Sequence, residues 1–264
     1  MRAKKHLGQN FLKNESIVEK IIQANAISNE IVIEIGPGMG ALTKHLVNAK
    51  QLIAFEIDTS LKPHLNEVIK NHNNVEIIYQ DILLMDLNAF LKERGINSCI
   101  LIANIPYYIT GPILKLIADT KAITSTTLMM QKEVGDRLLA TKGKAYGALS
   151  VLLGYKFEIK KVTNVKNTAF YPVPKVDSVV LKFDKTNQYL KDISDEDKFI
   201  KFVKIAFAQK RKTLVNNLTA GYHIEKEKVI ENLKEIDPNF NNLIRAENVS
   251  IETFITYSKG WKYD

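Results

Sequence analysis

Ile31-Val32-Ile33-Glu34-Ile35-Gly36-Pro37-Gly38-Met39-Gly40 is the stretch from which the fold is read. Its β-branched apolar half predicts a buried strand. The clustered glycines predict a turn of unusual φ, where backbone can approach a ligand closely. Leu42, Leu46 and Val47 follow at helical spacing. Strand, glycine turn and helix in this order make a nucleotide-type site. Outward from it, residues 52–57 read as a second strand carrying Glu56 at its end. The spacing from Gly36 is that of an acid meeting a ribose hydroxyl pair. Residues 75–79 read as a third strand ending in Gln80-Asp81-Ile82. There Asp81 can accept from an adenine N6, with Ile82 against the ring. Gly36, Gly38 and Ala41 also satisfy the dinucleotide fingerprint, which keeps a dehydrogenase open as an alternative.

The fourth strand begins near Cys99 and breaks into Asn104-Ile105-Pro106-Tyr107-Tyr108. Proline ends the strand and biases Ile105 towards an extended backbone. Asn104 then offers an amide oxygen, and Tyr107 an aromatic face, to an exocyclic amine on a flat base. Further on, two prolines hold residues 170–177, Phe-Tyr-Pro-Val-Pro-Lys-Val-Asp, extended. Phe170 is thereby a candidate second ring facing Tyr107. A helix is expected after Thr110 as its cap, a fifth strand over residues 126–130, and closing strands over 157–165 and 178–183.

Composition bounds the partners. Lys and Arg number 37 against 29 Asp and Glu in 264 residues, a net charge of +8. That excess suits a polyanion. The single Cys99 excludes an internal disulfide, and the five histidines show no metal-ligand spacing, so no metal site is expected. A reducing, cytoplasmic setting is expected, with neither a signal peptide nor a membrane span. Arg2, Lys4, Lys5 and His6 form a basic arm, followed by Gly8-Gln9-Asn10-Phe11-Leu12. Phe11 and Leu12 read as a plug, with the Gln9 and Asn10 amides open to a ligand. Asn14 reads as the cap of a first helix. Residues 141–147 read as a flexible basic loop. A charged stretch with Ser194 and Asp197 as a capping box marks a boundary, giving domains over residues 1–188 and 189–264. The second is helical and carries Gln209-Lys210-Arg211-Lys212-Thr213, a footprint for phosphate backbone.

Taken together, these motifs resemble the ribosomal RNA adenine N6,N6-dimethyltransferases along nearly the whole chain. Residues 174–178 and 210–213 look like the KsgA type, which modifies small-subunit rRNA. The Erm type, acting on large-subunit rRNA and conferring macrolide resistance, is the nearest alternative. The resemblance implies an α/β, Rossmann-like S-adenosylmethionine methyltransferase sheet with a smaller C-terminal helical domain. It implies that Asn10, Leu12, Gly36, Gly38, Glu56, Asp81 and Asn104 bind S-adenosylmethionine. It also implies that Tyr107 and Phe170 sandwich a flipped adenine, while Lys210, Arg211 and Lys212 contact RNA. The partner implied is rRNA in a partly assembled small subunit, met by a monomer. A DNA adenine methyltransferase and a non-catalytic assembly factor are the remaining alternatives.

Overall fold

The structure, a computed structural model, describes Lys4 and residues 7–263. Arg2, Lys5 and His6 of the basic arm lie outside the described residues. The strands are β1 (Phe11–Leu12), β2 (Ile31–Ile35), β3 (Gln51–Phe55), β4 (Val75–Ile78), β5 (Cys99–Asn104), β6 (Ile123–Gln131), β7 (Phe157–Val165), β8 (Phe170–Tyr171) and β9 (Ser178–Lys185). The helices are α1 (Glu15–Gln23), α2 (Thr43–Leu46), α3 (Lys62–Ile69), α4 (Leu87–Glu93), α5 (Thr110–Asp119), α6 (Lys132–Leu139), α7 (Ala148–Gly154), α8 (Glu196–Ala206), α9 (Leu214–Tyr222), α10 (Lys226–Ile236) and α11 (Ile251–Gly260). Among the described residues, no helix is long and apolar enough to cross a membrane.

The chain divides into two compact units. The first comprises residues 1–135 and 159–185, the second residues 136–158 and 186–264. A seven-stranded sheet runs in the order β4-β3-β2-β5-β6-β9-β7. Its pairs from β4 through β6 are parallel, and β9 joins β6 antiparallel. The central strands are near-continuous apolar runs because both of their faces are covered; Val32, Ile33, Leu101 and Ile102 are fully buried. Asn14 caps α1 as expected, accepting from the Ile17 amide at 3.2 Å, and Ile17, Val18 and Ile21 face inward. Phe11 and Leu12 pair antiparallel with Tyr171 and Phe170, so the plug is a two-stranded clip. Cys99 is wholly buried, and burial pushes its thiol up to about 12, consistent with a packing role.

Three local expectations change. The helix after the glycine turn is only four residues, Thr43–Leu46, because residues 36–42 are taken up by the turn. Thr110 does not cap α5: it is the first helical residue, and its hydroxyl donates to the Tyr107 carbonyl at 2.9 Å. Asp195, rather than Ser194, caps α8, accepting from the Lys198 amide at 2.9 Å.

In the second unit, Phe199, Phe202 and Val203 of α8 pack with Leu214, Leu218, Val229, Phe254 and Trp261. Val151 of α7 and Tyr155, the residue that ends it, enter the same core. Residues 136–158, read from sequence as part of the first domain, therefore belong with the helices. The loop at 141–147 is anchored, since Tyr146 is buried and the Gly143 amide donates to the Glu247 carbonyl at 2.8 Å. The periodicity of α9 escapes sequence reading, but Thr213 caps it by accepting from the Asn216 amide. Within it, buried Asn217 donates from Nδ2 to the Ala206 carbonyl at 2.6 Å and the Gln209 carbonyl at 3.2 Å. The first satisfies a carbonyl left open where α8 ends, and the second adds to the Lys212 amide's bond on Gln209 in the turn before Lys210. Asn217→Ala should lower stability by about 1–3 kcal/mol, the cost of stranding the buried Ala206 acceptor. Urea unfolding is the measurement, and an unchanged midpoint would remove this bond from the fold's supports.

Candidate cofactor and catalytic pocket

Parallel register sets the site. Ile35 pairs with Phe55 on one side and with Ala103 on the other. Gly36 and Glu56 therefore leave the sheet at one level, and Asn104, the last residue of β5, stands level with them while still pairing with Met129 of β6. Asp81 follows β4, the neighbour of β3. Such carboxyl ends of parallel strands are where open α/β sheets bind ligands. A pocket of about 270 Å³ opens there. It is lined by Asn10, Leu12, Gly36, Gly38, Glu56, Asp81 and Asn104, and by Tyr107 and Phe170. Every residue expected to hold the cofactor or the base thus faces one space. Lys210, Arg211 and Lys212 belong to the second unit, where all three are exposed between α8 and α9.

Gly36 and Gly38 adopt φ of 68° and 57°, where a side chain would be strained. A Cβ on Gly38 would also sit 3.2 Å from the Phe11 ring. The turn brings the Gly38 amide to Glu56, donating to Oε2 at 3.0 Å, while the Asp58 amide donates to Oε1 at 2.8 Å. Glu56 is 4% exposed. Burial raises its pKa, and the Asp58 and Gly38 amides oppose that rise. A carboxylate has about four acceptor positions, so Glu56 keeps room for ligand hydroxyls beside its backbone bonds. Asp81 accepts from the Leu83 amide through Oδ1 at 2.9 Å and stands half-buried on the pocket wall. A buried hydroxyl acceptor, a second acid and an open glycine turn fit an adenosine-bearing ligand.

The wall opposite is the amino-terminal segment. Gln9 Nε2 donates to Asp58 Oδ2 at 2.8 Å, and Lys4 Nζ to Asp58 Oδ1 at 2.6 Å. The Lys4 amide donates to Gln9 Oε1 at 2.8 Å, closing the strap. Burial would raise the Asp58 pKa, but hydrogen bonds from Lys4, Ser60 and Gln9 outweigh it and hold the carboxyl well below its ordinary range. The Gln9 amide, expected to meet a ligand, is engaged by the protein instead. Lys4, read from sequence as part of a basic arm, is paired with Asp58.

Asn104 donates from Nδ2 to the Asn10 carbonyl at 3.4 Å, which leaves Oδ1 as an acceptor for the pocket. Pro106 takes φ −56°, ψ 138°, and the chain tightens into a 3-10 turn at Tyr107–Ile109. Tyr107 is half-buried, with its hydroxyl 2.7 Å from Ser178 Oγ. Burial, first, and the Asp177 charge raise the phenol's pKa, with the Ser178 bond opposing. Phe170 is 3% exposed and packs with Leu12, Val165 and Ala169. It is both core and pocket wall, so a base could stack on it only after the β1–β8 clip shifts or the ring turns.

Glu34 escaped the sequence reading as a functional group, although a lone acid in an apolar strand was the signal. It lines the pocket at 1% exposure and accepts from Thr43 Oγ1 at 2.8 Å. Burial pushes its pKa up to about 8, against the Thr43 bond and with help from the Glu56 charge. It is therefore chiefly protonated at neutral pH. A raised folded pKa contributes stability that is full below the unfolded value near 4.5 and is lost as pH rises through about 8. Urea titrations across that window should show wild type losing stability relative to Glu34→Gln, by an amount on the order of a few kcal/mol. Parallel pH profiles would place the Glu34 proton elsewhere.

The geometry has close counterparts. The family model for ribosomal RNA adenine dimethylase matches residues 1–260. The ribosomal RNA small subunit methyltransferase A of Aster yellows witches'-broom phytoplasma (strain AYWB) is 48% identical, covering 98% of this chain and 96% of its own. The protein of the same name from Oceanobacillus iheyensis is 43% identical, over 95% and 87%. A crystal structure of a dimethyladenosine transferase from Plasmodium falciparum superposes with a TM-score of 0.76 at 28% identity, over 94% of this chain and 95% of that one. The 23S rRNA methyltransferase ErmE, at 24% identity and TM-score 0.73 over 95% and 99%, shares the fold. The central parallel sheet is thus that of the Rossmann-like methyltransferases, and the chain belongs to the ribosomal RNA adenine dimethylase family.

Proposed function

We propose that this protein uses S-adenosylmethionine to dimethylate N6 of two adjacent adenosines in a hairpin loop near the 3′ end of small-subunit rRNA. The substrate is that RNA within a partly assembled small subunit, met in the cytoplasm. The observation that carries the reading is the convergence of Glu56, Asp81, the glycine turn and Asn104-Ile105-Pro106-Tyr107 on one pocket. The small-subunit choice is supported by near-full-length relatives bearing that name.

When bound, S-adenosylmethionine supplies a methyl group activated by its sulfonium. Glu56 would accept from the ribose hydroxyls, with Asp81 accepting from the adenine amine of the cofactor. Asn10 and Leu12, on the strap, would cover it. The target adenine leaves its stack to reach the pocket. Tyr107 would replace the lost stacking, worth about 1–3 kcal/mol per base, and Phe170 would form the second wall. Asn104 Oδ1 and the Ile105 carbonyl would accept from N6–H, turning the amine's lone pair out of conjugation and towards the methyl. The amine becomes acidic only as the new bond forms, so no strong base is required. Positioned dipoles and orientation supply the acceleration. Exposed Lys210, Arg211 and Lys212 support a phosphate-contacting role for the helical unit.

Asn104→Ala should slow methyl transfer by about 10²–10³-fold, the scale of losing a preorganised polar partner. S-adenosylmethionine affinity should change far less. Labelled-methyl transfer to undermethylated small subunits, large subunits and naked rRNA, run in parallel, tests both chemistry and substrate. Transfer only to large-subunit rRNA would instead mark an Erm-type activity. Reversing the charge of Lys210, Arg211 and Lys212 should weaken small-subunit binding and flatten its salt dependence, since fewer counterions are released. Calorimetry should find cofactor binding intact. An unchanged salt slope would move the RNA contact elsewhere.

A further inference from the structure

The Tyr107 phenol ends on Ser178, the first residue of β9, with Oη and Oγ 2.7 Å apart. Ser178 is fully buried and lies opposite Gln131 in the antiparallel ladder with β6. Its hydroxyl therefore sits on the sheet and not on a mobile loop. The preceding residue, Asp177, organises the other wall. Its carboxylate accepts from the Asn167 amide and from Lys166 Nζ, each at 3.0 Å. Its carbonyl accepts from the Lys132 amide, also at 3.0 Å. Residues 167–177, which include Phe170, are thus closed at their base by Asp177. One dipeptide holds the loop that carries Phe170 and the far end of the Tyr107 ring.

A tyrosine ring is positioned by two torsions, and a bond at its outermost atom restrains both. The phenol carries its proton at neutral pH, so either hydroxyl can donate across the pair. The same bond occupies the Tyr107 oxygen, which leaves the ring face as the part offered to a base. We propose that Ser178 is a positioning residue that holds the Tyr107 ring at the angle needed to receive the target adenine. The inference rests on Tyr107 being the stacking ring of the proposed reaction. It explains why a tyrosine, and not a phenylalanine, stands at this position.

The test is a double-mutant cycle on the full-length protein, read as single-turnover methyl transfer to undermethylated small subunits at saturating S-adenosylmethionine. Ser178→Ala and Tyr107→Phe should each slow transfer by roughly three- to tenfold, the scale of one hydrogen bond. Cofactor affinity should stay at the wild-type value. The double variant should be no slower than the slower single variant, because both changes delete one interaction. Ser178→Thr keeps the hydroxyl and should restore most of the rate. Ser178→Ala slowing the Tyr107→Phe enzyme by as much as it slows wild type would overturn the proposal. If Ser178→Ala does not fold, Tyr107→Phe removes the same bond from the other side, and wild-type transfer by that variant would overturn it equally. Tyr107→Ala separates the two levels. Its inactivity beside wild-type rates for Ser178→Ala and Tyr107→Phe sinks the anchor alone, whereas its full activity sinks the stacking role as well.

Discussion

The register of β2 against β3 and β5 is the constraint on which the site depends. With Ile35 opposite both Phe55 and Ala103, Gly36, Glu56 and Asn104 are brought level with one another. A one-residue slip in either ladder would turn alternate side chains to the other face. Glu56 would then no longer meet the Gly38 amide, and Asn104 would leave the pocket. Fully buried Val32, Ile33, Leu101 and Ile102 make such a slip costly, because both faces of these strands are core. The hydrophobic interior thus acts directly on the chemistry, by deciding which residue stands at the end of each strand.

Three acids within and beside this pocket meet different fates by environment. Glu34, fully buried with one hydroxyl partner, keeps its proton at neutral pH. Glu56, also desolvated, is opposed in that tendency by backbone amides, those of Asp58 and Gly38 foremost. Asp58 is surrounded by donors from Lys4, Gln9 and Ser60 and is held ionised. Two neighbouring charges of one sign in a dry site would repel strongly. A neutral Glu34 beside Glu56 avoids that repulsion. The ionised Asp58 instead fastens the amino-terminal strap across the wall that Asn10 and Leu12 complete.

Phe170 shows how one side chain serves fold and site together. It pairs through its backbone with Leu12, packs in the core and still faces the pocket. Core and ligand-facing readings of an aromatic are therefore not exclusive here. Truncating it would open a cavity as well as remove a stacking surface, so loss of activity alone would not isolate its part in base recognition.

The sequence alone determined the order of the strands' chemistry: a glycine turn, then Glu56, Asp81 and Asn104, each at a strand end. Those signals are local, since strand periodicity, proline and glycine act within a few residues. The cap at Asn14 was legible for the same reason. Tertiary structure decided the rest. That residues 136–158 join the helical unit follows from Val151 and Tyr155 packing with α8, which no boundary signal encodes. The protonation of Glu34 depends on how completely distant chain excludes water from it. The engagement of Lys4 and Gln9 by Asp58, and of Tyr107 by Ser178 from 71 residues away, depends on atoms meeting through space. Desolvation and long-range hydrogen bonds exist only once the chain has closed around them, so spacing along the sequence carries no record of either.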